Sequence, residues 1–158
     1  MSVYDDASAF RKAILGLRAD KATGTVANGT TSLFTIATGR ILLTSLVGRV
    51  TTAIGSTVSN CKLVYNPTAA GTSFDMCTAV AITSDAVEQT YTILGNTETV
   101  GALLVAGAVG QCNPVFEDGY LLRPGAIEQN LSADPVGGAI TWSVTWIPYD
   151  VGATLVAA

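Results

Sequence analysis

The chain has 158 residues, of which 49% are hydrophobic and only 13% charged, with a formal net charge of −4. So apolar and charge-poor a composition excludes a disordered chain, and the acidic balance argues against general nucleic-acid binding, which needs clustered Lys and Arg. Histidine is absent and the cysteines number three, so the commonest general base and metal ligand is missing and no complete disulfide framework can be built.

The length suits one domain with a real core. Low surface charge points to an outer surface covered by partners. The start, Met1 to Asp6, lacks a basic stretch followed by an apolar one, so no signal peptide is expected. The longest apolar run, Val100 to Val109, is broken by Gly101 and Gly107 and is too short to span a bilayer, so no membrane is expected as partner. The expected setting is a cytoplasm in which the chain is assembled into something larger.

Residues 1–21 are read as an N-terminal arm or helix. Phe10, Ala13, Ile14 and Leu17 recur at helical spacing over residues 5–19, with Asp5 and Asp6 before them and Arg18 and Lys21 after. The segment either packs on its own domain or docks on a neighbouring subunit through Phe10, Arg11, Lys12, Ile14, Leu17 and Arg18. Residues 22–38 read as a polar, glycine-rich linker with short edge strands. Asn28-Gly29 is a tight-turn signal there, compatible with a hairpin.

Residues 39–150 read as the main domain. Arg40 to Ile54 is the longest strand candidate and looks apolar on both faces: Ile41, Leu43 and Val47 on one, Leu42, Leu46, Val50 and Ile54 on the other. A strand covered on both sides reads this way, and the second cover would come from the arm or from another chain. Gly48 marks a bulge or a close backbone approach. Cys61 to Asn66 and Thr72 to Val80 flank an Asn66-to-Gly71 loop. A hairpin closed there pairs position i with 138 − i and sets Cys61 opposite Cys77, either as a disulfide or as two small buried thiols.

Further short strands are expected over Gln89–Leu94, Thr99–Ala106, Tyr120–Leu122 and Ala126–Leu131. The last is the stretch Ile140, Trp142, Val144 and Trp146, alternating with Thr141, Ser143 and Thr145. Period two places both indoles on one inward face, and Pro148 ends the strand. The tail, residues 151–158, is small and apolar, and is expected to lie against a neighbour or remain unstructured. Eight or nine short strands with regular turn signals predict an all-β fold, an antiparallel, jelly-roll-like β-sandwich.

No catalytic, cofactor or metal site is expected. Triads need histidine, no Cys-x-x-Cys offers a zinc site, and no glycine-rich loop cradles phosphate. Cys112 and the pair Glu117-Asp118 are weak candidates for nucleophile and acid–base work. An enzyme is therefore not expected, whereas a sugar platform on Trp142 and Trp146 remains open beside their reading as core.

The stretches Gly48-Arg49-Val50-Thr51-Thr52-Ala53-Ile54-Gly55 through Lys62-Leu63-Val64-Tyr65-Asn66-Pro67-Thr68, Arg123-Pro124-Gly125-Ala126-Ile127, and Gly138 to Asp150 resemble small accessory virion proteins of tailed bacteriophages. The resemblance covers about Gly39 to Asp150 and carries strand-and-turn patterns, with no active site. It implies a capsid decoration or cement protein, commonly a homotrimer, bound to the major capsid protein or other virion subunits on the head. A tail, neck or fibre component is the nearest alternative, and a carbohydrate-binding module is an alternative of another class.

Overall fold

The computed structural model describes residues 16–69, 71–93, 103–106 and 119–158. They form twelve strands: β1 (Leu17–Thr25), β2 (Gly29–Thr38), β3 (Ile41–Thr52), β4 (Asn60–Pro67), β5 (Phe74–Asp75), β6 (Val80–Ala81), β7 (Thr90–Ile93), β8 (Leu103–Ala106), β9 (Tyr120–Leu122), β10 (Gly125–Leu131), β11 (Ala139–Pro148) and β12 (Thr154–Ala157). The first sheet runs β1-β11-β3-β7-β8, with β9 also paired to β3. The second runs β12-β2-β10-β4-β5, with β6 also paired to β4. Every pairing is antiparallel. Residues of both sheets close on one hydrophobic core, so the fold is an antiparallel β-sandwich.

β11 is central to the first sheet and behaves as its alternation dictates. Ile140, Trp142 and Val144 are fully buried and Trp146 almost so, while Thr141, Ser143 and Thr145 face outward and are half-buried. Trp142 lies flat against Gly48 of β3: a Cβ built there would come within 2.8 Å of the indole Cζ3. The close approach expected at Gly48 is therefore real, and only a residue without a side chain leaves room for the ring. The indole Nε1 crosses the core and donates to Gln129 Oε1 of β10 at 2.7 Å. A buried indole needs such a partner.

The apparent two-faced character of β3 has a different cause from the one expected. Thr145 pairs with Ser45 and Trp146 with Leu43, so Thr44 is an extra residue, a β-bulge. The bulge shifts the phase of the strand. Ile41 and Leu43 point inward before it; Leu46, Gly48 and Val50 point inward after it. One face is buried throughout, and the sequence shows two half-faces joined out of step. β2 does the same: Ile127 pairs with Phe34 and Glu128 with Ser32, so Leu33 is extra, and Leu33 and Phe34 are both fully buried.

Several other expectations change. Residues 17–19, placed in a helix by spacing, are strand β1 paired to β11, and no helix occurs among the described residues. Tertiary pairing outweighs local periodicity here, since Leu17 and Ala19 pack against the core from the sheet edge. Residues 5–15 lie outside the described residues. Asn28-Gly29 closes no hairpin: β1 belongs to the first sheet and β2 to the second, so the turn carries the chain between layers. The tail is a strand, with Thr154 to Ala157 paired to β2.

The Cys61–Cys77 register slips too. Tyr65 pairs with Phe74 and Val64 with Asp75, one residue off the expected rule, and Cys61 pairs with Val80. Between β5 and β6 the chain leaves the ladder. Met76 N–H still donates to Leu63 O at 2.8 Å, but the Leu63 N–H is taken by Cys77 Sγ at 3.2 Å. The sulfur stands where a regular strand would offer a carbonyl. Both cysteines are free and buried.

Candidate interaction surface

The described part of the N-terminal set splits. Leu17 sits opposite Trp146 and packs on the core, so it is not available as an outward contact. Arg18 is exposed and held within its own sheet, to Asp20 at 2.9 Å and to Ser143 Oγ at 3.1 Å. The Ser143 hydroxyl, donating to Asp20, holds that carboxyl below its ordinary range. Phe10, Arg11, Lys12 and Ile14 lie outside the described residues, as do Cys112, Glu117 and Asp118.

Both indoles are buried, which takes the tryptophan platform away from any sugar. Among the described residues no three His, Cys, Asp or Glu side chains gather to hold a metal. Burial pushes the Cys77 thiol up to about 11 and raises Cys61 further, with the neighbouring Cys77 adding to the effect. Such thiols are inert core atoms at neutral pH.

At one end of the sandwich, Arg40 grips Asp150 through Nε at 2.9 Å and Nη2 at 2.8 Å and lies 4.8 Å over the Tyr149 ring. The Arg40 hydrogen bonds draw the Asp150 carboxyl below its ordinary value. This ties the β2–β3 turn to the β11–β12 turn.

The other end is built differently. Three loops, residues 53–59, 82–89 and 132–138, are joined by short polar contacts. Ile54 N–H donates to Asp85 O at 2.9 Å, and Ser84 N–H to Gly55 O at 3.0 Å. Ser59 N–H donates to Thr83 Oγ1 at 3.1 Å, and Ser59 Oγ to Ala133 O at 2.8 Å. Gly55 is pressed so closely on Pro135 that a Cβ would fall 1.8 Å from its carbonyl oxygen. Tyr91, rising from the core, donates to Asp85 Oδ2 at 2.7 Å and braces the middle loop.

This fastened end displays apolar side chains. Val136 is 76% exposed, Val58 72% and Val87 44%. Three non-glycine residues here adopt positive φ: Ser84 at 61°, Glu88 at 71° and Val136 at 59°. For a β-branched residue this is a true outlier, costing on the order of 1–2 kcal/mol. Val136 is held there by its N–H donating to Asp134 Oδ1 at 2.8 Å, while Glu88 is anchored to Arg49 at 3.0 Å. Strain of this kind persists where the surroundings over-determine it, and it concentrates at binding sites.

Reading the sequence for chemistry passes over these valines, since scattered loop valines carry no motif. One signal was present. Pro135-Val136-Gly137-Gly138 puts a β-branched residue in the middle of a turn, where Gly or Asn is the ordinary choice.

Comparison with protein-family models, with curated proteins and with solved structures finds no match.

Proposed function

We propose that the protein is a structural subunit of a virus particle, and most specifically a decoration or cement protein on the head of a tailed bacteriophage. The observation that carries this reading is the rigid loop end with Val58, Val87 and Val136 turned outward. Exposed valines on cross-braced loops form a surface suited to another protein: apolar, preorganised and free of the ordering cost of a mobile loop. The strained Val136 fits a side chain kept for contact rather than for folding.

The order of the sheets adds support by analogy. β1-β11-β3-β7 lies opposite β2-β10-β4-β5, an interleaving that reads as a jelly roll carrying β12 and β8–β9 as additions. Jelly rolls recur in viral capsid and lectin domains, although a fold alone fixes no function. The charge-poor composition and the strand-and-turn resemblance to phage accessory proteins point the same way. The partners on this reading are the major capsid protein and sister copies, with a trimer favoured.

The test is location and load. Gold-labelled antibody against the protein is applied to intact particles, and particles with and without the protein are heated. Labelling on the head together with a lower rupture temperature in its absence supports the reading. Labelling on the tail alone moves the protein to a tail or neck role. Absence of label from particles overturns it.

A further inference from the structure

The turn between β1 and β2 places one asparagine in a reactive setting. Of the six asparagines in the sequence, Asn28 alone precedes a glycine. It is exposed, and its side-chain amide makes no hydrogen bond among the described residues. Gly29 has a φ of +98°, and no atom lies within 4 Å of the place a Cβ would take. Its backbone nitrogen is therefore uncrowded on that side. Gly29 is also the first residue of β2, opposite Leu131 at the end of the ladder with β10. Opening that last pair frees the nitrogen and leaves the rest of the ladder intact, as strand ends fray at little cost.

The other asparagines lack this setting. Asn66 and Asn113 precede prolines, whose nitrogen carries no hydrogen. Asn96 precedes Thr97, whose branched Cβ crowds the nitrogen. Asn60 and Asn130 lie in β4 and β10 and precede Cys61 and Leu131, both buried. The Asn130 amide is also held to Thr30 Oγ1 at 2.9 Å.

We propose that Asn28 is a site of spontaneous deamidation, with water as the only co-reactant. The Gly29 nitrogen loses its proton to solvent base and attacks Asn28 Cγ. The N–Cγ bond forms, the Cγ–Nδ2 bond breaks, and the amide nitrogen takes up a proton and leaves as ammonia. The resulting succinimide ring then adds one water molecule. Opening at one carbonyl gives aspartate. Opening at the other gives isoaspartate, in which the main chain runs through the side-chain carbons. No electrons are transferred and no enzyme is required.

The site matters because of what the turn is fastened to. Val26 is buried, and its N–H donates to Gly138 O at 3.0 Å, in the loop that carries Val136. Either product adds a negative charge two residues along the chain from this tie. Isoaspartate also adds one carbon to the main chain between Val26 and β2. The loop end thus carries its own ageing reaction. The inference needs only solvent and stands whether or not that end docks on a particle.

Peptide mapping by mass spectrometry tests it, on the full folded chain incubated in heavy-oxygen water at mildly alkaline pH. The peptide holding Asn28 should exchange NH for one solvent oxygen several-fold faster than the peptides holding Asn60 and Asn130, with isoaspartate as the larger product. Asn28→Gln should slow the reaction at that position to the level of Asn60 and Asn130, with the circular dichroism unchanged. A urea-unfolded sample, incubated alongside, shows the rate that the bare dipeptide allows. Modification in urea but none in the folded chain overturns the proposal, because the folded turn then withholds the Gly29 nitrogen. Equal rates at Asn28, Asn60 and Asn130 in the folded chain overturn it as well.

Discussion

Gly48 and Trp142 are directly paired across β3 and β11, and the indole occupies the space that a side chain at position 48 would need. The ring is fully buried and hydrogen-bonded at its far side, so it cannot swing away. Gly48→Ala therefore destabilises the fold by about 1–3 kcal/mol through overpacking. A urea titration followed by tryptophan fluorescence reads this as a lower midpoint with an unchanged slope.

The bond from Trp142 to Gln129 couples the two sheets through the core. Trp142→Phe strands the Gln129 carbonyl, and Gln129→Leu strands the indole N–H. Each leaves a buried polar group unpaired at a cost of about 1–3 kcal/mol. Gln129 Nε2 already lacks a partner among the described residues, so the amide adds little stability beyond that bond. The double variant should lose less than the sum of the singles, and a double-mutant cycle measures the difference.

Alkali should unfold the protein earlier than its low charge suggests. Cys61, Cys77 and Tyr91 are acids whose folded-state values are all raised, chiefly by burial. Below pH 9 all three are protonated in both states, and their contribution is intact. Above the ordinary thiol and phenol values of 9.0 and 10.0, the unfolded chain releases these protons while the folded chain keeps them. Stability then falls as pH rises. Thermal melts at pH 8 and pH 10.5 should differ by several degrees, and Cys61→Ala should reduce that gap.

Val136 should show opposite effects on stability and binding. Val136→Asn relieves a left-handed β-branched residue and raises stability by about 1 kcal/mol, because asparagine tolerates that conformation. It also removes an exposed apolar contact. Melting temperature should rise while retention on particles falls, a pairing that a merely structural valine would not produce.

How far the sequence could be read depends on where its regular period holds. In β11 the alternation of indoles and hydroxyls is unbroken, and both the strand and its inward face follow from it. In β3 the period breaks at Thr44, and in β2 at Leu33. A single inserted residue exchanges the two faces, so a one-sided strand looks two-sided, and the pattern read as a strand covered on both sides, by the arm or by another chain, is accounted for by the bulge at Thr44. The Cys61–Cys77 register failed for a related reason, because the Cys77 sulfur replaces a backbone acceptor and lets the chain leave the ladder. Leu17 looked helical because 3.6-residue spacing survives in a segment whose end is captured by β11. The valine end was the least legible part, since three loops far apart in sequence create it by backbone contacts that no local pattern encodes.

The most direct measurement is binding of Val58→Ser/Val87→Ser/Val136→Asn to particles stripped of the native protein, with circular dichroism confirming a folded chain. If the loop end is the docking surface, the variant stays folded, binds at least tenfold more weakly than the unaltered protein and fails to restore heat resistance. Undiminished binding by a folded triple variant would contradict it and move the interface elsewhere on the sandwich.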